Sequence, residues 1–489
     1  MMWGKQDSIK SLKDTVLFLL DSGKTNQALK VIHDFVERII TEPLCTSQIL
    51  GSKTLDDLCQ RIGKASLSNI NLETSGAPEQ EKPVFVYLVT KLQKSGGHTR
   101  VIEDFIRAQP AGRHIILSTE LDGASDINYL MDGIAKQCDV EFEQAPKVSY
   151  QQRLIWLQKR LLELPSKRVF LFNHHHDSVA IAAIQPEMEL NSCFYHHGDH
   201  HLCLGVHVSH FEHIDFHSGG YHHCRDELGI DNTYIPLTVN DKGKRTDTSF
   251  MNNNMLTTCT AARSNKIEVP YIISYLEVIP QLLELTKGKH IHIGRLTPWA
   301  LFRIRRRLKQ YDIPLDNFIY IPWVESVWKS LHEHQVDLYI ASFPYGGGLT
   351  LIEAMGASIP LAIHQHIFSR VLSGVDIAYP EAFGWRYPDE LLNYCASLDA
   401  DVLKEQGHLS RMQYEEFHSQ DDLQSFLSDM ESKKLSPKAL SENYHVENDE
   451  WVNWMSNQMT IKNVCTRFFY RTYRRLRAVI NQIEGLGKS

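Results

Sequence analysis

The chain has 489 residues, room for about three domains of ordinary size, and its 43% hydrophobic content supports more than one core. A formal charge of −8, with both signs well represented, gives no basic excess, and no nucleic-acid partner is expected. The nine cysteines form no Cys-x-x-Cys pair, which argues against a disulfide framework.

Near the N-terminus no apolar stretch runs into small residues, and no run reaches the roughly 18 apolar residues that span a bilayer. The expected location is therefore the reducing cytoplasm. Residues 8–65 read as helices: Leu12, Val16, Leu19 and Leu20 recur at helical spacing, as do Leu29, Ile32, Phe35 and Ile39. Thr25–Leu29 resembles the opening of a helical-repeat hairpin in a single copy, and the helical segment is placed at 1–75. Residues 71–82 are polar with Gly and Pro, and read as a linker.

From 83 the rhythm changes. Short apolar runs at 84–90, 114–119, 168–173 and 192–197 alternate with helical segments, the pattern of parallel βαβ units, in a first domain at 83–245. The polar stretch 240–254 reads as an interdomain connection. A second series, 257–262, 290–294, 318–321, 337–342 and 360–364, marks a second domain at 255–440. The fold class is α/β with two Rossmann-like domains, a helical N-terminal segment and a C-terminal helix. In such sheets ligands sit beyond the carboxyl ends of the strands.

The most informative loop runs from Ser342 to Met355. An apolar strand ends, Gly346, Gly347 and Gly348 follow, and a helix opens near Leu349 and Thr350. Glycines let backbone N–H groups approach an anion, and the positive helix terminus adds a favourable field. Glu353, about one turn into the helix, can accept hydrogen bonds from ribose hydroxyls. Against this stands a plain glycine-rich turn with a solvated glutamate.

The run G-G-G-L-T-L-I-E-A-M-G-A-S-I-P at 346–360 resembles the donor-site segment of GT-B glycosyltransferases, especially the large family-4 type and its bacterial relatives. The resemblance implies a nucleotide-diphosphate sugar held by residues 345–350, with Gly347 and Gly348 on the diphosphate and Glu353 on the ribose. A UDP- or GDP-sugar is the expected donor, with no other cofactor. The family-4 motif carries a second glutamate eight positions earlier; here that position is Tyr345, so no donor sugar or anomeric outcome is inferred. Gly96 and Gly97, after the first strand, resemble the glycine-rich first loop of GT-B N-terminal domains. Arg263 and Lys266 fall where GT-B enzymes place a basic pair on the diphosphate, with Arg295 as a reserve. Two cations are a natural means of neutralising a leaving diphosphate. An ordinary solvated loop is the alternative for the basic pair.

Thirteen of the 25 histidines fall between His174 and His223, at the ends of two expected strands. A similar H-H-x-D-H segment occurs in some bacterial GT-B enzymes. One imidazole would serve as general base toward an acceptor hydroxyl: His197 or His200, oriented by a carboxylate such as Asp199, or His98 in the first loop. Zinc binding is a second reading, although no specific zinc signature is present and no metal ligand is assigned. Packing or acceptor contact is the third.

The tail at 441–489 is expected to be helical. Within 462–477, Arg467, Arg471, Arg474, Arg475 and Arg477 are interleaved with Phe468, Phe469, Tyr470 and Tyr473. That mixture suits an anionic membrane surface, and equally a helix packed across both domains. The function expected is transfer of a sugar from a nucleotide-diphosphate donor to a glycan, lipid-linked or protein acceptor, in bacterial surface glycan synthesis, peripheral on the inner membrane face. The alternatives are a protein glycosyltransferase, a histidine-rich metal-dependent hydrolase, and a non-catalytic binding subunit of the same fold.

Overall fold

The computed structural model describes residues 8–42, 46–47, 49–70, 82–93, 97–246, 249–428, 437, 439–440, 444–465, 468–469, 472 and 476. Gly96 lies outside these residues, as do Arg467, Tyr470, Arg471, Tyr473, Arg474, Arg475 and Arg477 of the tail. Among the described residues no helix is long and apolar enough to cross a membrane, and eight cysteines are free thiols.

The first sheet contains β1 (Val84–Val89), β2 (Arg113–Ser118), β3 (Asp139–Gln144), β4 (Ser166–Phe172), β5 (Ser192–Tyr195), β6 (Glu212–Asp215) and β7 (Asn232–Tyr234). Its order is β3-β2-β1-β4-β5-β6-β7, and every pairing is parallel. The second contains β8 (Thr257–Ala261), β9 (Lys289–Ile293), β10 (Phe318–Ile321), β11 (Leu338–Ile340), β12 (Leu361–His364) and β13 (Phe383–Trp385). It is also all parallel, in the order β10-β9-β8-β11-β12-β13. Both are doubly wound Rossmann-like sheets, as the alternation of strand and helix patterns predicts. Each reverses direction beside its first strand, and a crevice opens there at the carboxyl end.

All six residues of β1 are buried, because a parallel sheet is covered on both faces. Phe85, Tyr87 and Val89 join a core shared with the second domain through Leu237, Ile377 and Tyr414. Val84, Val86 and Leu88 face the other way, against Leu12, Leu29, Ile32, Leu55, Leu58 and Ile62 of the N-terminal helices. Those helices (Ile9–Asp21, Thr25–Ile40, Lys53–Leu67) thus form an outer layer of the first domain. Gly63 permits the closest approach: a Cβ there would lie 1.8 Å from the carbonyl oxygen of Ala182.

The chain leaves β7 and runs along the helix Ala400–Phe417. Tyr414 donates to the carbonyl of Val239 at 2.8 Å, and Arg411 pairs with Asp241. After that helix the chain turns back, and the helix Gln420–Ser428 packs on the first domain's helix Gly97–Arg107, where Gln420 donates to the Asp104 carbonyl at 3.5 Å. Two crossings therefore join the domains and set how their crevices face each other.

Candidate active site

In the second sheet the direction reverses between β8 and β11, so the loops after these strands lie side by side. The loop after β8 carries Arg263 and Lys266, and the loop after β11 carries the three glycines. Lys266 donates from Nζ to the Gly346 carbonyl at 2.7 Å, and its own carbonyl accepts from Tyr345 N at 3.3 Å. A Cβ on Gly347 would stand 2.7 Å from Thr350 Oγ1, too close for any side chain without a shift, and at ordinary contact distance, 3.4 Å, from Lys266 Nζ. The helix Gly348–Gly356 starts there with no side chain capping its first amides. Burial and the neighbouring Arg263 depress the Lys266 pKa to about 8, while Asp199 of the first domain acts in the opposite sense across the crevice.

The turn faces the gap between the domains. A Cβ on Gly348 would meet Leu237 Cδ1 at 2.9 Å, and one on Gly97 would meet Leu349 Cδ1 at 3.2 Å. Tyr345, in the place of the missing glutamate, lies 3.2 Å through its hydroxyl from Thr46 Oγ1. Glu353 is paired at 3.3 Å with Lys242 of the interdomain segment, whose Nζ also donates to Ser326 Oγ at 2.8 Å. Arg295 is exposed and meets this region through its backbone, its carbonyl accepting from Ser264 N at 2.8 Å.

On the opposite wall, His98 opens the helix after β1, His174 follows β4, and His197, Asp199 and His200 follow β5. The ring of His98 lies 4.5 Å from that of His197 and 5.5 Å from that of His174, and its Nε2 is bonded to the Phe172 carbonyl. Burial and His174 lower the His98 pKa to about 3. Burial, then His98 and His174, hold His197 well below the ordinary histidine range. Asp199 does not orient His197. It binds His217 Nε2, and its other oxygen lies 3.5 Å from His200 Nδ1. Burial disfavours the Asp199 carboxylate, yet His217 and His200 keep its pKa below the usual range. Burial likewise disfavours His217 as a cation, but Asp199 and Asp376 outweigh it and raise its pKa.

The second domain reaches this wall through Asp376, which Arg370 holds bidentately at 2.7 and 2.8 Å. A Cβ on Gly219 would come within 3.0 Å of Asp376 Oδ2. The loop from the N-terminal helices adds a bridge: Ser47 donates its N–H to the His200 carbonyl at 2.8 Å and accepts from Ser369 Oγ at 2.6 Å. His174 and His176 instead converge on Asp122, and Asp177 caps the helix Ser178–Ala183 through Ala180 N. These serve the wall rather than the crevice.

The structure thus brings Lys266, the glycine turn, Asp199 and His200 to one crevice. Sequence reasoning missed His217, Lys242, Asp376 and Thr46. Of these only His217 carried a local signal: His217-Ser218-Gly219-Gly220 is a second glycine-bearing helix start just after a strand.

No family model matches the chain, and no curated protein matches it in sequence. Among solved structures, HepE of Anabaena in complex with UDP and glucose is 11% identical over 71% of this chain and 99% of that chain, with a TM-score of 0.53. HepE in complex with UDP alone is 10% identical over 71% of this chain and 98% of that chain, with a TM-score of 0.54. The lipopolysaccharide outer core galactosyltransferase WaaB, in its apo form, is 13% identical over 71% of this chain and 99% of that chain, with a TM-score of 0.53. The architecture is the GT-B fold.

Proposed function

We propose that the chain is a glycosyltransferase that takes its sugar from a nucleotide-diphosphate donor. The observation that carries this reading is the cradle of uncapped amides at 347–349, with Lys266 2.7 Å from the Gly346 carbonyl, at the reversal point of the second sheet and facing the first domain. An anionic leaving group is what such a cradle stabilises best. UDP is the first nucleotide to test, since HepE of the same fold was solved with UDP and glucose.

In this reading the acceptor hydroxyl oxygen attacks the anomeric carbon. The new C–O bond forms as the bond from that carbon to the diphosphate oxygen breaks. The departing charge falls on Lys266, Arg263 and the turn amides, while Glu353 exchanges part of its pairing with Lys242 for the ribose hydroxyls. The hydroxyl proton passes to His200. Its Nδ1 faces Asp199, which leaves Nε2 to accept, and its side chain is 37% exposed, open to an acceptor. Burial and the neighbouring His174 make His98 a poor proton acceptor, and among the described residues His197 has no carboxylate beside it. The acceptor, a glycan, a lipid-linked sugar or a protein, enters in this reading along the first domain's strand-end loops. Surface glycan synthesis at the inner membrane face, with the basic aromatic tail as the contact, is the setting we favour.

A thermal-shift screen with UDP-, GDP-, CMP- and dTDP-sugars tests the reading. A ligand at 100 times its Kd should add about 2.7 kcal/mol of stability, and the same donor should be slowly hydrolysed. No shift with any donor at millimolar concentration would end the proposal.

A further inference from the structure

Behind the catalytic wall lies a cluster that the transfer reaction does not use. His196 follows β5 directly, His213 and Asp215 belong to β6, and Cys224 sits in the π-helical turn His223–Glu227. All four are buried, and one ligand atom of each lies within 4.8 Å of all the others. His196 Nδ1 is 3.2 Å from Asp215 Oδ1 and 3.6 Å from Cys224 Sγ. Cys224 Sγ is 3.7 Å from Asp215 Oδ1, and His213 Nε2 is 3.3 Å from Asp215 Oδ2. Ligands on a tetrahedral ion with bonds of about 2.0–2.3 Å stand roughly 3.3–3.8 Å apart; the contacts just named run from 3.2 to 3.7 Å, and the other separations stay within 4.8 Å.

Hydrogen bonding accounts poorly for the same atoms. Among the described residues neither ring nitrogen of His213 makes a well-aligned hydrogen bond, although Nε2 stands 3.3 Å from the Asp215 carboxylate. A shared ion would give such a nitrogen the partner that a buried polar atom ordinarily has. Two neutral imidazoles, a thiolate and a carboxylate carry two negative charges in total, which a divalent ion cancels, so the loaded cluster is a neutral buried unit. Asn232 Nδ2 donates to Asp215 Oδ2 at 2.7 Å, the outer support that metal-binding carboxylates ordinarily have. The π-helical turn that carries Cys224 is a rare local conformation found mostly at functional positions.

The geometry points to a structural zinc site formed by His196, His213, Asp215 and Cys224. The ligand set is closed, with four protein donors and no face open to the crevice, so it fits a structural ion better than a hydrolytic one. Its place gives it a purpose. A Cβ on Gly220 would stand 3.5 Å from Asp215 Oδ1 and 3.4 Å from Asp199 Oδ2, so the zinc-binding carboxylate and the catalytic-wall carboxylate flank one glycine. The ion would lock the ends of β5 and β6 to the π-helical turn, and with them the loop that presents Asp199 and His217.

The test is the metal content of the full chain, purified without a metal-affinity column and measured by mass spectrometry, alongside Cys224→Ala and, as a control, His176→Gln. The expected result is about one zinc per wild-type chain, retained in His176→Gln and lost in Cys224→Ala. Wild-type protein with under about a tenth of an equivalent, and no uptake from micromolar zinc, would overturn the site, as would a Cys224→Ala chain that keeps its full zinc. Should Cys224→Ala not fold, cobalt exchange into the wild-type protein decides: a near-ultraviolet thiolate-to-cobalt band supports the site, and bound cobalt without that band refutes it. None of these readouts depends on sugar transfer.

Discussion

Lys266 donates its ammonium to the carbonyl of Gly346 at 2.7 Å, a contact that joins the loops after β8 and β11 at the one place where the second sheet reverses direction. In the proposed reading that carbonyl holds the cation until the donor's diphosphate takes its place. Replacing Lys266 with Met should lower kcat/KM by about 100- to 1,000-fold, the usual cost of losing one transition-state charge partner. The melting temperature should hold, because a half-buried cation beside Arg263 is lost rather than a packing group. Steady-state kinetics beside thermal melts would check both halves.

Burial and Arg263 set the Lys266 pKa near 8, below the ordinary lysine value, so the cation is present below about pH 8 and lost above it. The free-enzyme profile of kcat/KM should therefore fall on its alkaline side near pH 8. Lys266→Arg, which stays charged, should move that limb to higher pH at a reduced plateau. An alkaline limb that remains in place in the arginine variant would assign it to another group.

Glu353 pairs with Lys242 at 3.3 Å rather than standing in solvent. If it also holds the ribose, Glu353→Gln should weaken nucleoside diphosphate binding by about 10-fold, as expected for one charge-assisted hydrogen bond, and leave pyrophosphate binding unchanged. Calorimetric titration of both ligands separates this from a general disturbance of the turn, which would weaken the two alike.

Gly63 brings the helix Lys53–Leu67 against the first domain, with space for no Cβ beside Ala182. Gly63→Ala should destabilise the protein by about 1–3 kcal/mol through overpacking. Limited proteolysis should cut first in the N-terminal helices, with the second domain's core left intact.

The strands that the apolar runs marked were legible because a parallel sheet covered on both faces demands continuous burial, as in β1, β5 and β12. The strands that escaped notice are β3, β6, β7 and β13. β3 alternates acidic and apolar residues at a half-exposed edge, and β6 hides its histidine and aspartate in the cluster with Cys224. Within the site, the glycine turn and Lys266 could be found from sequence, since each follows a strand and has its own chemical signature. The pairing of Asp199 with His217 could not: 18 positions separate them, and only the neighbouring β5 and β6 bring them together. Lys242 and Asp376 act from beyond the strand-end loops, by way of the interdomain crossing and the helix after β12, where local pattern says nothing of a partner.

The most direct test of the account is a crystal structure of the full chain soaked with UDP and, separately, with GDP. The expected result is a diphosphate within hydrogen-bond distance of the amides of 347–349 and of Lys266 Nζ, with the ribose turned toward Glu353. A nucleotide seated anywhere else, or a turn that stays closed on Lys266 at saturating ligand while the nucleotide binds outside the crevice, would contradict it.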